Sequence, residues 1–148
     1  AQLLGLRRMA FQGDHYDVST DVRQRALALG AEPVRGRDLV RRLRAAGLRL
    51  SADERPGSWE EIGRWLGTGA RPDVGSVVPA ALIEALNRVD ARWGVAEVVA
   101  FQRTTETVVV VEDTEGVALV GPVPGEVEAR CHDDRIVELL ALRKEATL

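Results

Sequence analysis

Apolar positions along the chain change period at Gly94, and that change organises the sequence. Before it they recur at three- and four-residue spacing; after it they alternate or run together. Val22, Ala26 and Leu29 share one helical face, with Ser19 and Thr20 available as caps and Gly30 as a left-handed terminator, which predicts a short helix over 21–29. Ala31–Arg35 is a brief strand candidate whose Pro33 favours an edge position. Leu39, Val40, Leu43 and Ala46 predict a second helix over 37–46, closed by Gly47, before Leu48–Leu50 extends again.

Ser51–Gly57 is polar and ends in a Pro-Gly turn signal, so a boundary is expected there. Ser58-Trp-Glu-Glu61 reads as a capping box opening a helix that buries Trp59, Ile62 and Leu66. Thr68–Ser76 is loop. Pro79 then starts a helix in which Leu82, Leu86, Val89 and Trp93 follow the helical repeat. Beyond Gly94, Ala96–Gln102, Thr105–Glu112, Val117–Val120 and Glu126–Cys131 are rich in Val and Thr and predict a four-stranded antiparallel meander. A final helix, started by Asp133 or Asp134, is expected to carry Ile136, Val137, Leu140 and Leu142. The class is α+β: a small helix-strand-helix N-terminal unit (1–50), a linker (51–57), and helices packed on the meander with a C-terminal helix (58–148), either as two subregions or as one domain. Trp59, Trp65 and Trp93 are expected at the interface between the parts.

Charge sharpens the division. Residues 1–50 hold ten arginines against five carboxylates, a net +5, and the remainder carries −8. A basic front joined to an acidic back points to opposite partners or to mutual docking. No apolar run is long enough to cross a bilayer, and Arg7 and Arg8 follow the apolar Ala1–Leu6 in the reverse of a secretory signal's order, so a cytoplasmic setting is expected. The single cysteine, Cys131, excludes an internal disulfide framework and a zinc site built on paired thiolates.

Standard catalytic patterns are missing. No glycine-rich phosphate cradle is present: Gly67-Thr-Gly69 begins like one, but position 72 is proline. Cys131-His132-Asp133-Asp134 and Asp14-His15-Tyr16-Asp17 come nearest to a metal set. Alternation along a strand turns Cys131 and His132 to opposite faces, which makes Cys131 core, His132 solvated and the aspartates helix caps. Glu112, Asp113 and Glu115 could offer hard oxygens to a divalent cation, although acidic turns are ordinarily solvated. The most informative cluster is basic. Arg37, Arg41 and Arg44 fall on one side of the second helix, with Arg42 on the same helix and Arg35 and Arg49 near its ends.

Gly30-Ala-Glu32-Pro-Val-Arg-Gly36-Arg-Asp38-Leu39-Val40-Arg-Arg-Leu43, together with Gly13-Asp-His-Tyr-Asp-Val-Ser19-Thr20, resembles the closing strand-helix unit of Mrr-type restriction-endonuclease-like domains. The resemblance implies a nucleic-acid-associated α/β piece. The family's nuclease site needs an aspartate, then Glu or Gln, one spacer and a lysine, so that carboxylates hold a metal beside the phosphate. Lys144, the only lysine, follows Leu142 at the spacing where that acid would stand, so no catalytic residue is carried over.

The leading expectation is a non-enzymatic binding or assembly module that docks to a protein partner through complementary charge, without cofactor, metal or membrane. A homo-oligomer stays open. The alternative is a nucleic-acid-associated accessory domain that engages phosphates through Arg35, Arg37, Arg41, Arg42, Arg44 and Arg49, with steep salt dependence. A third reading is an enzyme or small-ligand binder whose site lies between the sheet and the Thr68–Ser76 loop.

Overall fold

The computed structural model describes residues 4–143. It divides into two compact units, Ala1–Pro56 and Gly57–Leu148, built on different principles.

The front unit is helical. Helix α1 (Thr20–Ala28) starts at Ser19, whose Oγ accepts a hydrogen bond from Val22 N at 3.3 Å. Helix α2 (Gly36–Ala45) follows. Both end in the same way: Gly30 and Gly47 adopt positive φ (98° and 70°), and the next residue's N–H turns back to the last helical turn, Ala31 to Ala26 O and Leu48 to Leu43 O. The strand expected at 31–35 does not form. Pro33 supplies no N–H, and these residues, like 48–50, join no ladder in the structure. Before α1, Phe11 and Tyr16 make an isolated antiparallel bridge with ring centroids 4.9 Å apart.

The back unit is mostly antiparallel sheet, which with the helices makes the protein α+β. Five strands lie in the order β1 (Glu60–Leu66), β3 (Glu97–Arg103), β4 (Glu106–Glu112), β7 (Ile136–Leu142) and β6 (Val127–His132). A separate two-stranded ladder pairs β2 (Val89–Asp90) with β5 (Ala118–Leu119). Helix α3 (Ala80–Leu86) lays Leu82, Ala85 and Leu86 on one face of the sheet, against Val98, Ala100, Val109, Val111, Val137, Leu139 and Ala141. Leu82 is wholly buried, and truncating it to Ala is worth roughly 2–5 kcal/mol.

Two expected helices are strands. In Ser58–Leu66 the register of β1 against β3 shifts between Glu61 and Gly63, so Ile62 is an extra residue. That bulge brings Ile62 and Trp65 to the core side three residues apart, a spacing that imitates a helical face. The segment 136–142 lies between β4 and β6 and is buried on both sides, so its apolar residues run together without alternating. The 79–93 helix is shorter than its pattern, because Val89 leaves it for β2. Val117–Val120 contributes only the two residues of β5, outside the main sheet.

Asp133 and Asp134 do not cap a helix. Both have positive φ, 51° and 53°, and with Arg135 form the loop of the β6–β7 hairpin, whose last strand pair is His132 with Ile136; Arg135 N donating to His132 O at 3.0 Å closes the turn. Among the tryptophans, Trp65 packs on the core, Trp59 lies under the Arg103 guanidinium at 4.1 Å, and Trp93 lies under Arg71 at 5.2 Å. Among the described residues no helix is long and apolar enough to cross a membrane.

Candidate functional site

The basic residues picked out by sequence all lie in the front unit, and the structure separates them by what they touch. Arg42 holds Glu32 with both terminal nitrogens, at 2.9 and 3.2 Å. Arg41 lies 3.5 Å from Asp38 one turn earlier. Arg49 Nη1 donates to Asp14 Oδ2 at 3.3 Å. Arg35, at the N-cap of α2, and Arg37 and Arg44, within it, have no ion-pair partner among the described residues. The i, i+4, i+7 stripe is therefore mixed: Arg37 and Arg44 are available, and Arg41 is partly engaged.

Asp14 organises the ground beside the stripe. Its buried carboxylate accepts hydrogen bonds from His15 Nδ1 (2.5 Å), Leu50 N (2.9 Å) and Arg49. The His15 bond, the Leu50 N–H and the Arg49 charge hold its carboxyl below the ordinary aspartate range, with burial opposing them. The far nitrogen of His15 lies 3.4 Å from Asp17, so this histidine is bracketed by two carboxylates.

The same region forms a cavity of about 440 Å³ lined by Arg44, Gly47, Arg49, Leu50, Ser51, Ala52 and Arg55. Arg55 lies outside the set expected from sequence. It stands in the polar stretch read as linker, where a charged residue beside proline signals only solvation. From sequence Asp14 reads as part of a near-metal set; in the structure it anchors an arginine.

Helices α1 and α2 contain no buried residue. Val18, Leu29, Leu39 and Leu48 are 42–61% exposed. Leu39 lies one turn from both Arg35 and Arg42, so apolar and basic positions share one surface.

Residues 1–46 match the model of a family described as "Protein of unknown function (DUF4031)". The match takes in Asp14, His15, both helices and Arg35–Arg44, and it stops before Arg49 and Arg55. No curated protein and no solved structure matches the chain.

In the back unit the candidate ligands are otherwise engaged. Arg92 clamps Asp113 and also bonds Glu115, so two of the three carboxylates considered for a cation already hold a guanidinium. Cys131 and His132 exchange the roles expected of them. The core reaches Ala129 but not Cys131 at the end of edge strand β6, and the thiol is exposed. His132 is half-buried, with Nε2 2.5 Å from Oε1 of the buried Glu138. What burial remains at Cys131, helped by the nearby Asp134 charge, raises its thiol pKa, which disfavours a nucleophilic thiolate. Among the described residues no group of three or more His, Cys, Asp and Glu could hold a metal ion. A cleft of this unit, about 440 Å³, is lined by the start of α3 and by Gln102, Thr107 and Arg143 at strand ends, and not by the 68–76 loop.

Proposed function

We propose that the front unit is a non-enzymatic docking module for a protein partner that presents an acidic surface with an apolar centre. One observation carries the reading: α1 and α2 bury none of their residues, while large aliphatic side chains stay exposed among arginines. A helix pair gains most of its stability by burying an apolar face, so an uncovered face flanked by unpaired cations suits a complementary surface. The net charge of +5 over residues 1–50, with Arg35, Arg37 and Arg44 unpaired among the described residues, specifies the sign of the partner. A cytoplasmic setting fits a chain with one free cysteine.

The test is affinity capture of partners with the intact chain, run beside Leu39→Asp and Arg37→Glu variants, with and without nuclease, and with sedimentation of the chain alone. The proposal expects a nuclease-resistant protein ligand that each substitution weakens at least about tenfold, the loss of one central contact. Retention destroyed by nuclease would assign the arginines to nucleic acid instead. Self-association abolished by Leu39→Asp would make a second copy the occupant, and indifference to both substitutions would overturn the proposal.

A further inference from the structure

We propose that the cavity at the end of α2 binds a phosphomonoester dianion through Arg44, Arg49 and Arg55. The inference does not depend on the protein-docking reading. Three arginines line one cavity of about 440 Å³, although they come from the last turn of α2, the residues just after it, and the approach to Pro56. Like charges brought together in this way repel, and they are tolerated best where an anion compensates them.

Each arginine is supplied in a useful state. Arg49 is positioned from behind by buried Asp14, which His15 Nδ1 and Leu50 N hold in place. Arg55 has only a long bond from Nη2 to Leu50 O, at 3.4 Å, and its Nε is buried without a hydrogen-bond partner. A buried N–H of this kind is unfavourable while it lacks an acceptor. Arg44 is exposed and has no ion pair among the described residues.

Two of the negative groups nearby have partners. Asp14 faces Arg49, and Glu54 accepts from Ser51 N and Oγ at 2.8 and 2.9 Å. The carbonyls that end α2 would repel an anion if they were open. Those of Arg42, Leu43 and Arg44 instead accept the backbone N–H groups of Ala46, Leu48 and Gly47. A carboxylate ligand offers two oxygens in a plane, which suits one guanidinium fork. Three separate forks suit a tetrahedral dianion better, and Leu50 and Ala52 leave an apolar wall for the group that bears it.

The test is calorimetric titration of the intact chain at low ionic strength with inorganic phosphate, adenosine monophosphate and adenosine, repeated on Arg55→Gln, Arg44→Gln and Arg37→Gln. Saturable one-site binding of the two phosphates but not of adenosine is expected, at least tenfold weaker in Arg55→Gln and Arg44→Gln and within twofold of the parent in Arg37→Gln. Tighter binding of the nucleotide than of phosphate would identify a phosphorylated metabolite as the ligand, and equal binding would identify free phosphate. Arg44→Gln alters an exposed side chain with no ion pair, so it keeps the test valid if Arg55→Gln disturbs folding, as circular dichroism would reveal. Absence of saturable binding, or an equal loss in Arg37→Gln, would overturn the proposal.

Discussion

Arg92 grips Asp113 on both carboxylate oxygens, Nε donating to Oδ2 at 3.0 Å and Nη2 to Oδ1 at 2.6 Å, with the Asp113 side chain almost fully buried. The same carboxylate accepts the backbone N–H groups of Glu115 and Arg92, so one side chain ties the turn after β4 to the segment after β2.

That grip has a pH signature. The Arg92 bond first, then the Glu115 N–H, hold the Asp113 carboxyl far below its ordinary value of 3.8. A carboxylate depressed on folding stabilises the folded state fully above its unfolded pKa and loses that contribution as pH falls through the folded one. Asp113→Asn is therefore expected to lower the melting temperature at neutral pH, and the gap between variant and parent is expected to close progressively below about pH 4. Melting curves from pH 7 to 2 check this; a gap that stays constant with pH would mean that Asp113 acts through shape and not through charge.

The hairpin that the sequence disguised as a helix start offers a second check. Asp133 and Asp134 both sit at positive φ, a conformation that costs a non-glycine residue about 1 kcal/mol. Replacing them with Asn-Gly, which suits such a turn, is expected to raise stability by roughly 0.5–1 kcal/mol. The tertiary bonds of the turn, Val117 N to Asp134 O at 2.8 Å and Asp113 N to Arg135 O at 3.0 Å, are made by backbone and survive the exchange. Urea titration of the double variant measures the effect, and a lowered midpoint would contradict the turn assignment.

What was legible in the sequence follows from where a local signal had no competitor. Ser19, Gly30 and Gly47 act as caps at the positions their chemistry announced, because capping is settled within a few residues. The strands 97–103 and 106–112 emerged from Val and Thr density for a similar reason. Ile62 and Val137 belong to segments where period misleads: a bulge inserts one residue into β1, and a strand buried on both sides loses its alternation. The site was half legible. Arg44 and Arg49 stood out by spacing along the chain. Arg55 and Asp14 join them only through the close of the loop around Gly13 and Leu50, which no periodicity encodes.

That loop predicts a specific sensitivity. Gly13 has φ of 88°, and a Cβ placed on it would collide with Cδ1 of Leu50. Gly13→Ala is expected to cost more than about 1 kcal/mol, read as faster hydrogen exchange at the α2 amides. In a Leu50→Ala background the collision disappears and the backbone strain remains, so the added cost should shrink without vanishing. Equal cost in both backgrounds would place the whole effect in φ.

The buried pair at the β3–β4 turn gives the sharpest energetic expectation. Arg103 and Glu106 face each other across the turn as its closing residues, with side chains 1% and 7% exposed, and Arg103 Nε donates to Glu106 Oε2 at 2.5 Å while the guanidinium lies over Trp59. Arg103→Met leaves the carboxylate buried without that partner and should cost roughly 3–5 kcal/mol. Adding Glu106→Leu removes that buried carboxylate, and most of that loss should return, because a buried ion pair contributes little over an apolar pair of similar volume once its desolvation is counted. Trp59→Leu alone should cost about 0.5–2 kcal/mol, the share of the cation–π contact. Denaturant titration of the two single variants and the double variant at Arg103 and Glu106 closes the cycle. A double variant no more stable than Arg103→Met would show that the arginine matters for its packing on Trp59 and not for the charge it neutralises.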